Sequence, residues 1–318
     1  MASSKKIVVV GSINMDLVAR TERIPRPGET ILGDSFVTIP GGKGANQAVA
    51  AAKLAGEGIT VHMVGRVGDD DFGQRLLNGL NHHHVDTRHV TVSEGVASGV
   101  AVILVDRKGE NTIVVAPGAN GLLSAKDVDA AETLIAEASV VMLQCEIPVD
   151  TAAHVIAMCQ RHGVYTILDP TPVPPNGLPR ALYGVDLLTP NQLEAEALLG
   201  LESAGGTTSK SAEDAKTIGS QLLSRGAKSV VLKRGGRGAV LIDRDGTIQT
   251  VKPFKVKVID TTAAGDAFTA ALAVAHAEGM EPLAGVRFAN AAGAACCGEF
   301  GAQPALPARE AVEKLLQS

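Results

Sequence analysis

The sequence of 318 residues has no tryptophan, only 3% aromatic residues and no excess of basic side chains. Its 29 Lys and Arg residues stand against 34 Asp and Glu residues, which gives a formal net charge of −5. Surfaces that bind nucleic acid normally carry a basic excess, and single-strand binders also stack bases on aromatic rings. Nucleic acid is therefore not a predicted partner.

Long apolar runs are also missing. Ile7–Val10 and Val100–Val105 are far shorter than the roughly 20 residues that span a bilayer, and the first is too short for a signal peptide. The four cysteines show no Cys-x-x-Cys spacing, and Cys296–Cys297 lies in an alanine-rich stretch, so we expect free thiols. These features predict a cytoplasmic protein with no membrane partner.

Short β-branched runs dominate the apolar pattern, and unbroken runs of this kind are typical of strands buried on both faces. They occur at Ile7–Val10, Ser139–Leu143, Tyr165–Leu168, Leu187–Leu188 and Ser229–Leu232. Helical patterns alternate with the later runs, at Asp150–Arg161, Gln192–Leu199 and Ala212–Ser224. This alternation predicts an α/β fold with a central, mostly parallel β-sheet flanked by helices.

Two segments of the N-terminal third depart from this alternation. Leu17–Ile39 contains short β-like stretches without a helix pattern, and Gly99–Val115 has the pattern of a hairpin with a turn at Asp106–Gly109. We expect residues of about 15–40 and 98–116 to form a small separate β-sheet. A lid over a site, a dimer contact and an edge decoration all remain open for it. Without a repeat or linker, residues 1–318 are predicted to form a single domain.

The segment around Gly41-Gly42-Lys43 precedes a helix pattern at Asn46–Leu54. A glycine pair lets backbone approach a ligand closely, and Lys43 and Asn46 supply donors at the start of the helix. The segment is not a phosphate-binding Walker A loop, since Gly44 follows the lysine where Ser or Thr is required. A plain glycine turn into a helix is the alternative.

The segment Asp260–Phe268 combines small residues with a carboxylate. Ala263, Ala264 and Gly265 lead into a helix predicted at Asp266–Ala277, whose first N–H groups can stabilise an anion. Asp266 can accept a proton from a substrate hydroxyl there. The alternative is a helix cap, which does not require the small residues that leave room for a ligand.

Two further segments follow predicted strands. In Thr189–Glu194, a capping box of Thr189 with Gln192 and a proline at the first helical position leave Asn191 and Glu194 free. Lys233–Gly238 is a glycine-rich turn at the carboxyl end of a strand, where α/β sheets usually bind ligands.

Taken in order, Gly11–Asp16, Gly41–Gln47, Thr189–Asn191 and Asp260–Asp266 resemble the ribokinase family of carbohydrate kinases, a group that includes B-type phosphofructokinases and adenosine kinases. The resemblance extends from Ile7 to the segment Gly301–Pro304. It implies ATP-dependent phosphorylation of D-ribose at the 5-hydroxyl, giving D-ribose 5-phosphate and ADP, on a sheet with a small β lid. It also implies a homodimer, because relatives pair their lids.

Alternatives within and outside this family remain. A kinase for deoxyribose or adenosine would use the same mechanism, but a nucleoside site needs an aromatic wall, and the expected lid offers only Phe36. A sugar sensor without catalysis is disfavoured because Asp266 and Gly265 are present.

The resemblance also implies roles for individual residues. Asp266 would be the base, and the N–H groups of Ala263, Ala264 and Gly265 would stabilise the transferring phosphoryl group. The sugar hydroxyls would be held by Asn14, Asp16, Gly42, Lys43, Asn46 and Glu146. The ATP site would include Asn191, Lys233, Gly235, Gly238, Gly265 and Asn290.

The implied metals are Mg²⁺ and an activating monovalent cation, usually K⁺. Asn191 and Glu194 would organise Mg²⁺ and its waters. The K⁺ site would lie at Asp260, Thr262, Cys296, Glu299 and Gly301. Lys233-Arg234 replaces the Thr-Leu of many relatives, which makes the phosphate contact ionic, and Ala305 replaces a serine that often completes the cation shell. Nothing in the sequence explains the thiol of Cys145.

Overall fold

The computed structural model describes residues 4–201 and 212–318, and within them a nine-stranded sheet forms the centre. The strands of the whole described chain are β1 Lys5–Val10, β2 Asn14–Thr21, β3 Gly33–Gly41, β4 Ile59–Gly68, β5 Val85–Ser93, β6 Gly99–Val105, β7 Asn111–Ala116, β8 Val140–Gln144, β9 Tyr165–Asp169, β10 Leu187–Leu188, β11 Ser229–Lys233, β12 Ala239–Ile242 and β13 Ile248–Val251.

The central sheet has the order β13-β12-β11-β10-β9-β8-β1-β4-β5. Its strands are parallel from β11 to β5, and only β12 and β13 pair antiparallel. The prediction of a mostly parallel sheet is therefore confirmed.

Helices cover both faces of this sheet. Their bounds are α1 Lys43–Leu54, α2 Asp71–His82, α3 Ala125–Ala130, α4 Glu132–Ala136, α5 Val149–His162, α6 Gln192–Leu199, α7 Ala212–Ser224, α8 Ala264–Glu278, α9 Pro282–Cys296 and α10 Arg309–Leu316. Helices α1, α2, α8, α9 and α10 share one apolar core, and α3 to α7 share the other.

The strand β1 shows how the sequence builds two cores at once. Ile7 and Val9 belong to the first core, whereas Val8 and Val10 belong to the second. Successive side chains of a strand point to opposite faces, so a strand between two helix layers must be apolar at every position. The unbroken β-branched runs are the consequence of this burial.

A small four-stranded sheet stands beside the main one, in the order β3-β2-β6-β7. It is formed from the two segments that lack the α/β alternation, which confirms the predicted small sheet. Several of its large apolar side chains are exposed: Phe36, Val37, Val102, Ile113, Val114 and Val115.

The parallel strands β1, β8, β9, β10 and β11 all end at one edge of the main sheet. Loops that follow these ends are therefore neighbours in space although they are far apart in sequence.

The four cysteines are free thiols. Within the described residues, no helix combines the length and the apolar character that crossing a bilayer requires.

Candidate active site

The start of α1 lies directly against the loop that follows β1. Gly42 has φ 87°, and a Cβ there would be 2.6 Å from the backbone N of Asn14. A Cβ on Gly44 would be 2.7 Å from the Ser12 backbone. Only glycine fits at both positions, and this close approach brings Lys43 and Asn46 over the carboxyl edge of the sheet.

Glu146 and Asn14 are fixed by neighbours at this edge. The Ser12 hydroxyl donates to Glu146 Oε2, and the backbone N–H of Lys43 donates to the same oxygen at 3.2 Å. Asn14 Oδ1 accepts from Asn120 Nδ2 at 2.7 Å. Asn120 was not predicted from the sequence; it is buried, and its side chain also bonds both backbone groups of Ile13.

Asp266 lies in the first turn of α8 and is only 5% exposed. Its two carboxylate oxygens accept from Asn46 Nδ2 and Gln47 Nε2, each at 3.1 Å. Burial raises the pKa of Asp266; Lys43 lowers it, Asp169 raises it further, and the two amide donors lower it. The result is a carboxyl of raised basicity, as a general base requires.

Asn46 also carries an unused acceptor. Its Oδ1 is buried and has no hydrogen-bond donor among the residues that the structure describes. Buried polar atoms nearly always have a partner. A ligand hydroxyl beside Asp266 would satisfy this oxygen.

Lys43 and Asp16 complete the charged group around Asp266. Burial lowers the pKa of Lys43, but the carboxylates of Asp266, Asp169 and Glu146 outweigh burial and raise it, so the ammonium stays charged. The pKa of Asp16 is raised to about 7 by burial and by the charges of Glu146 and Asp266, although Lys43 opposes the rise.

Behind Asp266 lies a layer of buried polar residues that the sequence did not reveal. Asp169, at the end of β9, accepts from Lys233 Nζ at 2.8 Å, from Gln47 Nε2 at 3.1 Å and from Thr269 Oγ1 at 3.4 Å. Gln144 Nε2 donates to Gln47 Oε1 at 2.6 Å. A signal was available, because Gln144 and Asp169 are polar residues that end apolar strands at the ligand-binding edge.

The turn before α8 has the conformation needed to present its N–H groups. Ala263 has φ 59°, in the left-handed region, and serves as the N-cap residue of α8. The first N–H groups of a helix have no acceptor inside the helix. Ala264 N is partly engaged by the carbonyl of Thr261 at 3.3 Å. An anion at this turn would face the positive end of α8.

The residues expected at the nucleotide meet on the other side of Lys233. Gly238 has φ 80°, and a Cβ there would be 2.0 Å from the carbonyl O of Val251. Asn290 Nδ2 donates to the neighbouring carbonyl of Lys252 at 2.8 Å. Gly235, with φ 54°, begins a short 3₁₀ turn that follows Lys233. The structure thus brings Lys233, Gly235, Gly238 and Asn290 to one region.

The predicted capping box of Thr189 with Gln192 is wrong. The N-cap of α6 is Asn191, whose side chain accepts from the N–H of Glu194, while Glu194 accepts from the N–H and the amide of Asn191. Thr189 bonds back to the carbonyl of Leu168 instead. Asn191 and Glu194 are therefore held together, and Pro190 precedes the cap.

The expected cation loop is folded around Asp260. Its carboxylate accepts from Thr262 N at 2.9 Å, Thr262 Oγ1 at 2.7 Å and Gly301 N at 2.9 Å. Burial raises the pKa of Asp260, but these hydrogen bonds outweigh burial and hold it below its usual range. The buried Cys296 thiol, whose pKa is raised to about 12, donates to the Thr262 carbonyl at 3.5 Å.

Not every expected ligand reaches this loop with its side chain. The carboxylate of Glu299 is exposed and interacts electrostatically with Lys53. Ala305 is buried in a short 3₁₀ turn and offers no side-chain oxygen. The oxygen atoms that could ligate a cation here are those of the Asp260 carboxylate and of backbone carbonyls. Such oxygens suit a hard or large cation better than a protonated thiol does.

A cleft of about 230 Å³ separates the small sheet from the cation loop. Asp16, Val18 and Ile103 line one wall, and Asp260 and Thr262 line the other. The guanidinium of Arg20 lies 4.4 Å from the centre of the Phe300 ring and links the two walls. The small sheet thus forms one wall of a cleft whose other wall is the loop of Asp260.

Comparison with known proteins gives a consistent result. Residues 4–309 match the model of the pfkB family carbohydrate kinases. The chain is 39% identical over 315 residues to the ribokinase of Bacillus subtilis, covering 98% of this chain and 99% of that protein.

Two solved structures are similar over their whole length. The ribokinase of Thermotoga maritima superimposes with a TM-score of 0.86 at 35% identity, covering 98% of this chain and 99% of its own. The Arabidopsis thaliana ribokinase, solved with ribose and ATP, gives a TM-score of 0.88 at 33% identity and covers 99% of each chain.

The raised pKa of Asp16 predicts a pH-dependent cost to stability. The folded protein keeps the Asp16 proton up to about pH 7, whereas the unfolded chain releases it near 3.8. The free energy of unfolding should therefore fall, relative to Asp16→Asn, as pH rises from about 4 to about 7, by on the order of 2–4 kcal/mol. Urea unfolding of both proteins across this range measures the difference.

Asp34→Asn provides the control for that measurement, because Asp34 is an exposed carboxylate of the small sheet. Its stability should follow that of the wild type at every pH. Parallel stability curves for the wild type and Asp16→Asn would contradict the predicted pKa of Asp16.

Proposed function

Because the chain belongs to the pfkB family of carbohydrate kinases, which transfer a phosphoryl group to a sugar hydroxyl, we propose that it phosphorylates D-ribose with ATP. The products would be D-ribose 5-phosphate and ADP. The relatives described above support this substrate, since they are ribokinases and one was solved with ribose and ATP.

The arrangement of Asp266 carries the proposal. A buried carboxylate of raised pKa lies in the first turn of α8, three residues after the left-handed Ala263 that caps this helix. Asp266 would take the proton of the sugar 5-hydroxyl as the oxygen attacks the terminal phosphorus of ATP. The N–H groups of Ala263, Ala264 and Gly265 would stabilise the charge on the transferring group.

The sugar would lie between the first turn of α1 and the small sheet. Asn14, Asp16, Lys43, Asn46 and Glu146 supply donors and acceptors suited to hydroxyl groups, and the glycine at 42 allows the backbone to approach. Asn46 Oδ1, which has no hydrogen-bond donor within the described part of the chain, would accept from one of these hydroxyls. Hydroxyls held at several points orient the reacting one, which is the main contribution of such a site to rate.

The nucleotide would occupy the region of Lys233, Gly235, Gly238 and Asn290. Its phosphates would point toward Gly265, and Lys233 would supply an ionic contact. When bound, Mg²⁺ would neutralise phosphate charge. Glu194 fits this role because its oxygens can accept from metal-bound waters besides the Asn191 donors.

A monovalent cation such as K⁺ would bind at Asp260, Thr262 and Gly301, with backbone carbonyls completing its shell. The low pKa of Asp260 keeps a negative charge there. Of the other residues expected at this site, Cys296 and Glu299 would contribute backbone oxygens only. The missing hydroxyl at Ala305 would weaken the site without removing it.

We further propose that the small sheet acts as the lid of a single domain and pairs with the lid of a second copy. Its exposed apolar side chains support this assignment, because such a patch usually marks an interface. We also propose a cytoplasmic location, which is the location that the sequence predicts. The proposed partners are the sugar, ATP and a second copy of the chain.

Substrate choice is the direct test of the proposal. In an ADP-release assay over pentoses, hexoses and nucleosides, ribose should give the highest kcat/KM, since several polar groups converge on the sugar while Phe36 is the only aromatic of the small sheet. A higher kcat/KM for deoxyribose or adenosine would contradict ribose as the substrate and favour that compound instead.

Asp266→Asn serves as the control variant in this assay. It should lower kcat by at least about 10²-fold, since general base catalysis contributes 10²–10⁴-fold. Binding of ribose and ATP, measured by calorimetry, should stay close to that of the wild type. Near-normal turnover by this variant would exclude Asp266 as the base.

The cation site predicts that the enzyme works more slowly when Na⁺ replaces K⁺ at equal ionic strength. Na⁺ is smaller than K⁺, so it would be coordinated poorly by carbonyl oxygens that are spaced for K⁺. In Asp260→Asn, turnover should fall in K⁺ and the difference between the ions should shrink. Equal wild-type rates in both salts would show that the chain lacks this activation.

Dimerisation through the lid predicts a sedimentation mass twice that of one chain. Val114→Lys places a charge on the exposed edge strand of the small sheet, which should shift the protein toward the monomer. Val92→Lys, at an exposed valine of β5 on the main sheet, is the matched control and should leave the mass unchanged. A monomeric wild type would contradict the pairing.

A further inference from the structure

The ion pair of Lys233 and Asp169 joins the two halves of the candidate active site. Lys233 ends β11 and Asp169 ends β9, so the lysine reaches across β10. Nζ and Oδ1 are 2.8 Å apart, and the side chains are only 11% and 2% exposed. A pair buried to this extent loses most of its Coulomb gain to desolvation. Stability alone is therefore a poor reason for its presence.

The pair is connected to Asp266 through one amide group. Gln47 Nε2 donates to Asp169 Oδ2 and to Asp266 Oδ1, each at 3.1 Å. The Gln47 amide cannot turn freely, because its oxygen accepts from Gln144 at 2.6 Å. Gln47 therefore ties the Asp169 carboxylate to one oxygen of Asp266, whose other oxygen is held by Asn46.

The other end of the pair faces the turn before α8. A Cβ placed on Gly265 would be 3.5 Å from Lys233 Nζ, with no closer neighbour. An anion held by the N–H groups of this turn would thus come within reach of the ammonium. The ammonium carries a single positive charge, and such an anion would compete with Asp169 for it.

We propose that Asp169 is a positioning residue that holds Lys233 while no nucleotide is bound and gives it up to the terminal phosphate of ATP. During this exchange Gln47 and Thr269 keep the Asp169 carboxylate in place, so that Asp266 stays aimed at the sugar hydroxyl. The inference rests on the proposed function, since it takes ATP as the phosphate donor.

The exchange has a consequence for nucleotide affinity. ATP must take Lys233 from Asp169, so part of the Lys233–phosphate attraction is spent on separating the pair. ADP lacks the terminal phosphate and leaves the pair intact. The Asp169 charge should therefore weaken the binding of ATP while hardly affecting that of ADP.

The test is a double-mutant cycle read by calorimetry with Mg²⁺, ADP and the non-hydrolysable analogue of ATP that has an NH group between its last two phosphorus atoms. Asp169→Asn should bind the analogue roughly tenfold more tightly, and Lys233→Met roughly tenfold more weakly. ADP affinity should change less than about twofold in either. In the double variant, the effect of Asp169→Asn should disappear because no lysine remains to be released.

Three results would overturn the exchange. They are unchanged or weaker analogue binding by Asp169→Asn, the same tightening when Lys233 is absent, and an equal effect on ADP. A purely structural ion pair predicts the first or the third. The binding measurements contain no sugar. If ribose proves not to be the substrate, the proposed substrate is refuted, but the double-mutant cycle still tests the exchange of Lys233.

Lys228→Met is the matched control. Lys228 precedes β11 at its opposite end and pairs with Asp186 at 2.6 Å, but its side chain is 55% exposed. Its removal should leave the preference for the analogue over ADP unchanged. A change as large as that of Lys233→Met would show that the effect is not local to the site.

Single variants that leave one buried charge unpaired can fail to fold. The comparison of the wild type, Lys233→Arg and the double variant then decides, because each of these keeps the local charge balanced. Lys233→Arg should retain the preference for the analogue over ADP, and the double variant should lose it by roughly tenfold. A double variant with the wild-type preference would overturn the proposal.

Discussion

Four carboxyl groups and two lysines share one largely buried space at the carboxyl edge of the sheet, and the organisation of the site follows from this crowding. Asp16, Asp169 and Asp266 are buried with Glu146 close by, and Lys43 and Lys233 oppose their charge. Like charges this close cannot all ionise freely. Burial is the largest cause of the raised pKa values of Asp16 and Asp266, and the neighbouring carboxylates raise them further. The raised pKa of the proposed base is therefore a product of burial and charge balance together, not of one residue alone.

The parallel sheet makes this crowding unavoidable. Each parallel strand brings its last residue to the same edge of the sheet. Because β9 lies between β10 and β8, Asp169 is next to Gln144 at the end of β8, and only β10 separates it from Lys233 at the end of β11. Antiparallel strands would send alternate ends to opposite edges and disperse the charges. The same geometry places the glycine at 42 where α1 must touch the loop after β1. The parallel fold thus determines both where the backbone elements meet and where the charged side chains gather.

Much of the fold could be predicted from the sequence because burial on both faces leaves unbroken β-branched runs, and α6 was predicted with its observed bounds. The small sheet was evident because Leu17–Ile39 and Gly99–Val115 break the alternation of strands and helices. The capping box was not, because Thr189 and Asn191 are both good cap residues with a suitable partner three positions on. The structure decides between them, because the backbone N–H of Thr189, just after β10, donates to the Leu168 carbonyl of β9 and keeps Thr189 beside the sheet.

Asp169, Gln144 and Asn120 were not predicted for a different reason. Each has a hydrogen-bond partner about 100 residues away, and although Asp169 and Gln144 end apolar strands, that position does not show which residues they bind. Their common feature is that each is a polar residue buried where an apolar one would cost less. The site balances its charge through such distant pairs, so an incoming triphosphate would have to compete with at least one of them. Lys233 is the cation nearest to Gly265 among the contacts of that turn, and its partner Asp169 is tied through Gln47 to Asp266. In the proposed exchange the phosphate takes Lys233 while Gln47 and Thr269 hold the Asp169 carboxylate, so the proposed base keeps its alignment as the nucleotide binds.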